Sequence, residues 1–228
     1  MHLIHSLLDL LFPPKCVFCR ALLEPGIEQV CPDCAKKLLH MECADRPGEF
    51  FDTCVAPFPY VAPVRDSLLR YKFHGATHYV DCYGELLAAC VSSQLAGQYD
   101  LITWVPISRR RRRKRGYDQT KLLCRALCRR LDRPAIQTLR KTVNNPAQSS
   151  LSSAECRRAN VLGVYEAVKP ERFAEKRILL IDDIVTTGAT LSECSRVLLT
   201  AGAKEVVCAA FAAAQRMDRN DNDAEIDE

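Results

Sequence analysis

This sequence predicts an α/β fold, a parallel sheet flanked by helices, with a small cysteine-rich module in front of it. Three observations carry that expectation. Ile178-Leu179-Leu180-Ile181 is a continuous apolar run, too short for a helix core, of the kind that forms a strand buried on both faces. It leads through a small-residue loop into a helical pattern, Leu191, Cys194, Val197 and Leu198, and then into a second apolar run, Val206 to Ala213. Strand, helix and strand in that order give a parallel pair joined by a right-handed crossover. The third observation is at the other end of the chain, where Cys16-x-x-Cys19 and Cys31-x-x-Cys34 stand eleven residues apart.

Composition narrows the setting. The 228 residues are 48% hydrophobic and 26% charged, enough for one full core plus a small module. The net charge of +4 is unevenly spread: Arg109 to Arg115 is an unbroken basic run, whereas Asp218 to Glu228 is strongly acidic. Thirteen cysteines would suit an oxidising compartment. Met1 to Phe12, however, lacks the basic flank and cleavage site of a secretory signal and reads as a short amphipathic helix. No run approaches the roughly 18 apolar residues of a membrane span. The expectation is a cytoplasmic protein with reduced thiols, some of them holding metal. Residues 1–45 form the N-terminal helix and cysteine module, 50–213 the α/β domain, and 214–228 a polar, acidic, disordered tail.

The elements follow in order. Cys16, Cys19, Cys31 and Cys34 can each supply a thiolate from a tight turn, and four thiolates in a closed tetrahedron suit a structural Zn²⁺. His40 and Cys43 rank below Cys34 as ligands. A closed site has no open position for water, so no catalytic role is expected of it. Thr53 to Tyr60 reads as an edge strand because Pro57 and Pro59 interrupt it. Val61 to Gly75 and Val80 to Leu95 carry helical periodicity. Leu101 to Ile107 reads as a strand that runs into the basic stretch, itself expected as a loop, or a loop with a helix start, kept mobile by like charges. Gln119 to Leu131 returns to helix, and Pro134 to Leu139 is a short strand. Ser152-x-x-Glu155 is a capping box, and Val161 to Val168 is a strand or hairpin arm. Arg177 to Asp182 is the central strand and Thr190 to Ala201 its helix, with Gly202 as C-cap.

Chemistry concentrates between that central strand and its helix. Thr186-Thr187-Gly188-Ala189-Thr190 combines hydroxyl donors, a glycine that allows close backbone approach, and a helix N-terminus, which together make an anion cradle. Asp182 and Asp183 offer acceptor oxygens just before it, suited to a ribose diol directly or through Mg²⁺. The plainer alternative is a buried strand ending in two solvated or helix-capping aspartates, with Thr190 and Glu193 as a capping box.

The stretch from Ile178 to Thr190 closely resembles the phosphoribosyl pyrophosphate (PRPP) signature of type I phosphoribosyltransferases. The whole chain resembles the ComF family of competence-related proteins, its GntX branch included. The resemblance rests on Leu10-Leu11-Phe12-Pro13-Pro14-Lys15-Cys16, Tyr71-Lys72-Phe73-His74-Gly75, Val105-Pro106-Ile107-Ser108-Arg109 and Arg115-Gly116-Tyr117-Asp118-Gln119. Gln148-x-x-Leu151 and Arg157-x-x-Asn160 continue it. It implies a type I phosphoribosyltransferase-like sheet, with Asp182 and Asp183 on the ribose and Thr186, Thr187, Gly188, Ala189 and Thr190 on the 5′-phosphate. It also implies Ser108 and Arg109 as a pyrophosphate loop, Arg111 and Arg115 closing over it, Lys72 at the hood, and Mg²⁺ arriving with PRPP. Trp104 stands where the family often has Pro, and Tyr117-Asp118 where it often has Phe-Asn. A link to competence, DNA uptake or use of external DNA follows from the same resemblance. The competing expectation is a non-catalytic module. In it the zinc module, the basic run, Tyr117 and Lys121 track single-stranded DNA, or the zinc module docks competence or DNA-processing proteins.

Overall fold

The computed structural model describes residues 13–39, 44–143 and 162–214. The expected N-terminal helix, His40, Cys43, the capping box at Ser152, the motifs at 148–151 and 157–160, and the acidic tail lie outside the described residues.

The sheet is built on the apolar runs. β1 (Ala44–Arg46), β2 (Cys54–Ala56), β3 (Phe58–Pro59), β4 (Leu101–Trp104), β7 (Arg177–Val185) and β8 (Glu205–Ala213) form one sheet in the order β1-β2-β8-β7-β4. β7 and β8 pair in parallel from Arg177↔Glu205 to Val185↔Ala213, and β4 pairs in parallel on the other side of β7. β2 and β3 both lie along β8, separated at Pro57, and β1 pairs antiparallel with β2. The prolines therefore break the run into two short strands, as expected of a residue that cannot donate to a ladder, but β2 is covered by β1 and is not the edge strand the sequence suggested. A separate antiparallel hairpin consists of β5 (Leu139–Lys141) and β6 (Tyr165–Ala167). The Thr138 and Thr103 hydroxyls, 2.8 Å apart, tie its base to β4.

Helices cover both faces. α1 (Pro32–Leu39) belongs to the cysteine module; α2 (Val64–Phe73), α3 (Val80–Gln94), α4 (Arg109–Arg115), α5 (Gln119–Arg130) and α6 (Ala189–Thr200) belong to the α/β domain. β7 alternates between two cores. Leu179 and Ile181 join the core under α2, α3 and α5, while Ile178 and Leu180 join Cys194, Leu198 and Phe173 under α6. α3 and α5 touch at Gly84, where a Cβ would stand 2.8 Å from the Ala126 backbone, so glycine is required for that approach.

The cysteine module shares the first of these cores. Val17 and Phe18 are buried, and Phe18 packs edge-on against Phe58 at 6.3 Å. The Arg70 guanidinium donates to the carbonyls of Val17 and Phe18, and the Ser67 hydroxyl donates to Val17 as well.

One expectation is corrected. The basic run is not a loop: it is the seven-residue helix α4. Ser108 is its N-cap and accepts from the Arg111 N–H at 3.3 Å, and Gly116, at φ +83°, closes it. The caps at both ends and the projection of Arg109, Arg110, Arg112, Arg113 and Lys114 into solvent outweigh the like-charge repulsion. The strand before it stops at Trp104 rather than Ile107, and β7 runs on to Val185, so both aspartates are strand residues.

Candidate functional site

Because β4, β7 and β8 are parallel, their C-terminal ends meet at one edge of the sheet, where ligands bind in open α/β folds. Alternation along β7 sends its two carboxylates to opposite faces. Asp183 is buried and pairs with Lys72 of α2 at 2.9 Å. Its second oxygen, Oδ2, is buried and has no hydrogen-bond partner among the described residues. Asp182 lies on the α6 face, where its Oδ1 accepts the Asp183 N–H at 2.8 Å. Burial, reinforced by the Asp183 carboxylate, pushes the Asp182 carboxyl up to about 8.

A cationic and aromatic wall faces Asp182. The Lys141 ammonium of β5 lies 3.3 Å from the Tyr165 hydroxyl of β6. Burial and the nearby Arg111 charge pull the Lys141 ammonium down to about 8. Arg111 itself is half-buried, and burial and then Arg115 hold it below the usual guanidinium range. These groups would welcome an anion, since each buried cation lacks the solvation it would have in water.

Past β7, Thr186 and Thr187 are exposed and Gly188 adopts φ +80°. Gly188 is the N-cap of α6 and no side chain caps the helix, which leaves its first N–H groups directed at the loop. Only the Thr187 hydroxyl approaches, accepting weakly from Ala189 N–H at 3.4 Å. Arg46 of β1 donates to the carbonyls of Thr186 and Ala214, pinning the back of the loop. Thr190 does not cap; Glu193 instead binds Arg196 at 2.8 Å and accepts the Gly163 N–H, so the expected alternative of a Thr190–Glu193 capping box does not form.

In the module, the Sγ atoms of Cys16, Cys19, Cys31 and Cys34 all lie within 4.8 Å of one another, with Cys19 and Cys31 at 3.6 Å. Four sulfurs about 2.3 Å from a tetrahedral Zn²⁺ stand roughly 3.8 Å apart, so the donor set fits. Backbone N–H groups of Ala21 and Cys31 point at Cys19 and Cys16, as suits thiolate acceptors.

A profile described as a phosphoribosyl transferase domain matches residues 124–228, and one described as a double zinc ribbon domain matches residues 7–55. Competence protein ComFC of Streptococcus pneumoniae is 31% identical over 198 residues, covering 84% of this chain and 84% of that protein. This chain belongs to the ComF family. Competence protein F of Haemophilus influenzae is 28% identical to this ComF chain over 214 residues, 84% of the chain and 93% of the relative. DNA utilization protein YhgH of Escherichia coli K12 is 28% identical over 190 residues, 78% and 81% of the two. Among solved structures, a glutamine PRPP amidotransferase from B. subtilis has a TM-score of 0.43 at 20% identity, over 63% of this chain and 30% of that one. The ComF fold here is thus a phosphoribosyltransferase-like parallel sheet behind a zinc ribbon, and the four cysteines are its structural zinc site.

The structure brings some of the expected residues together and separates others. Lys72 and Asp183 touch. Ser108 is buried and serves as a helix cap. Arg111 faces the Lys141–Tyr165 pair, Arg115 stacks over Phe73 at 4.9 Å, and Arg109 is exposed. Tyr117, expected as a stacking platform, donates its hydroxyl to the Tyr71 carbonyl, and Lys121 lies over Trp104 at 5.4 Å. Asp118 is the N-cap of α5, accepting the Lys121 N–H at 3.0 Å, a role Asn would also fill. Sequence reasoning missed Lys141, Tyr165 and Arg46, whose surrounding segments carry no motif.

Proposed function

We propose that this ComF chain binds PRPP with Mg²⁺ at the C-terminal edge of its sheet. The observations that carry the reading are the unpartnered, buried Oδ2 of Asp183 near the C-terminal end of β7 and, beyond the loop that follows that strand, the uncapped N-terminus of α6. A hydroxyl-bearing ligand would satisfy the first, and a phosphate the second. In this reading Thr186, Thr187, Gly188, Ala189 and Thr190 cradle the 5′-phosphate, and Asp182 and Asp183 take the ribose hydroxyls. Ser108, Arg109, Arg111 and Arg115 attend the pyrophosphate, and Lys72 orients Asp183. The donors fit Mg²⁺ through the free carboxylate oxygen, and the ion would supply charge neutralisation at the pyrophosphate. In this reading the chain works in the cytoplasm, where thiols stay reduced and can hold zinc.

Calorimetric titration of PRPP and Mg²⁺ into the wild type and into Asp182→Asn/Asp183→Asn tests this. Saturable binding is expected for the wild type, weakened at least tenfold in the variant. A folded, zinc-loaded wild type that binds no PRPP would overturn it.

A second reading is favoured by the exposed cations of α4 and by the relatives named for competence and DNA utilization. In it the chain contacts single-stranded DNA and competence or DNA-processing proteins. If about four cations meet phosphates, log K falls with log salt at a slope near −3. A salt-independent affinity for oligothymidylate would rule that contact out.

A further inference from the structure

The seven cations of α4 crowd onto about 10 Å of helix. Arg109, Arg110, Arg112, Arg113 and Lys114 are exposed, and none of them takes part in an ion pair among the described residues. The same chain carries a matching anion, since residues 218–228 hold six carboxylates against a single arginine. We propose that the acidic segment 215–228 docks on the exposed face of α4 and shields it from other polyanions.

Geometry favours this occupant. β8 ends at Ala213 on the same sheet edge from which α4 departs, because β4, β7 and β8 are parallel. Ala214 is still anchored there: its N–H donates to Val185 at 2.8 Å and its carbonyl accepts from Arg46. β8 and β4 flank β7, so their ends lie about 10 Å apart. Fourteen residues can reach up to about 45 Å, so the span to α4 is easily covered. A tether of that length holds its carboxylates at an effective concentration on the order of millimolar. Exposed pairs that are individually weak become collectively significant at that concentration, and external anions must displace them. The device depends on charge alone and stands whether or not the sheet edge binds PRPP.

Heparin is a suitable probe, a polyanion carrying neither ribose nor base. Its affinity is measured for the full chain, for a chain ending at Ala214, and for a full-length variant with the six carboxylates changed to amides. Zero-length carbodiimide crosslinking of the full chain locates the segment through Lys114. At about 50 mM salt both altered chains should bind heparin about tenfold more tightly than the full chain. The gap should close toward 1 M salt, where screening shortens the Debye length to about 3 Å. Lys114 should crosslink to a carboxylate of 218–228 within a monomer. A gap below twofold overturns the proposal. So does a larger gap without the Lys114 crosslink, which would show charge acting at a distance, and so does a crosslink found only between two copies.

Discussion

Lys72 and Asp183 form a close ion pair at the sheet edge. The pair is largely shielded, with the side chains 17% and 6% exposed. Removing one partner of such a pair strands the other's charge, which costs more than the pair itself contributes. Lys72→Met should therefore lower folding stability by about 2 kcal/mol in urea unfolding, and adding Asp183→Asn should recover part of that loss. Asp182 and Asp183 stood out in the sequence through the whole stretch from Ile178 to Thr190, apolar run, carboxylates and small-residue loop together; two aspartates after a strand would by themselves have suggested solvated or capping residues. Lys72 was legible only through the resemblance of its Tyr-Lys-Phe-His-Gly motif. Lys141 and Tyr165 were not legible at all. They stand twenty-four residues apart and meet Asp182 only because the hairpin folds back beside α6.

That hairpin has a pH signature of its own. In the unfolded chain Lys141 keeps its proton to about pH 10, but in the fold only to about 8. Between those values unfolding takes up a proton, so stability rises with pH. Below pH 8 the buried ammonium is a liability in both its burial and its proximity to Arg111. Lys141→Met should remove the rise, making the variant more stable than the wild type at pH 7 by up to about 3 kcal/mol, with the difference fading toward pH 10. Denaturant melts at a series of pH values check this. At the level of elements the sequence misled most at α4, and it also carried β4 on to Ile107 and placed a strand over Pro134 to Leu139 where β5 begins only at Leu139. Repulsion among seven like charges argues for a loop, yet Ser108 and Gly116 were visible as its caps. Weighing the caps against the charge would have identified the helix. The strand order was hidden for a different reason. Nothing local says that β2 and β3 share one neighbour, because pairing between distant strands is set by the whole sheet.

The zinc ribbon and the sheet share one core. Cys16, Val17 and Phe18 lie in the same core as Phe58, Tyr83 and Phe211, and Phe18 lies 6.4 Å from the Tyr83 ring. Chelating the zinc should therefore lower the thermal midpoint of the entire chain by at least about 10 °C, as a shift of one transition rather than the appearance of a second. Differential scanning calorimetry with and without a strong chelator, alongside metal analysis expecting one zinc per chain, would show it.

The strand order also constrains how the chain is made. β2 and β4, more than fifty residues before β7, are among the earlier strands to leave the ribosome, and β7 and β8, the strands they must pair with, come last. Until then the apolar faces of α2, α3 and α5 have no sheet to cover. The cysteine module can close over its own nineteen residues, Cys16 to Cys34, well before that point. Translation thus produces a metal-capped stub followed by a long exposed nascent segment that condenses only when its C-terminal third emerges. Slow synthesis through that interval would lengthen the time during which this protein can be captured by a chaperone or lost to aggregation.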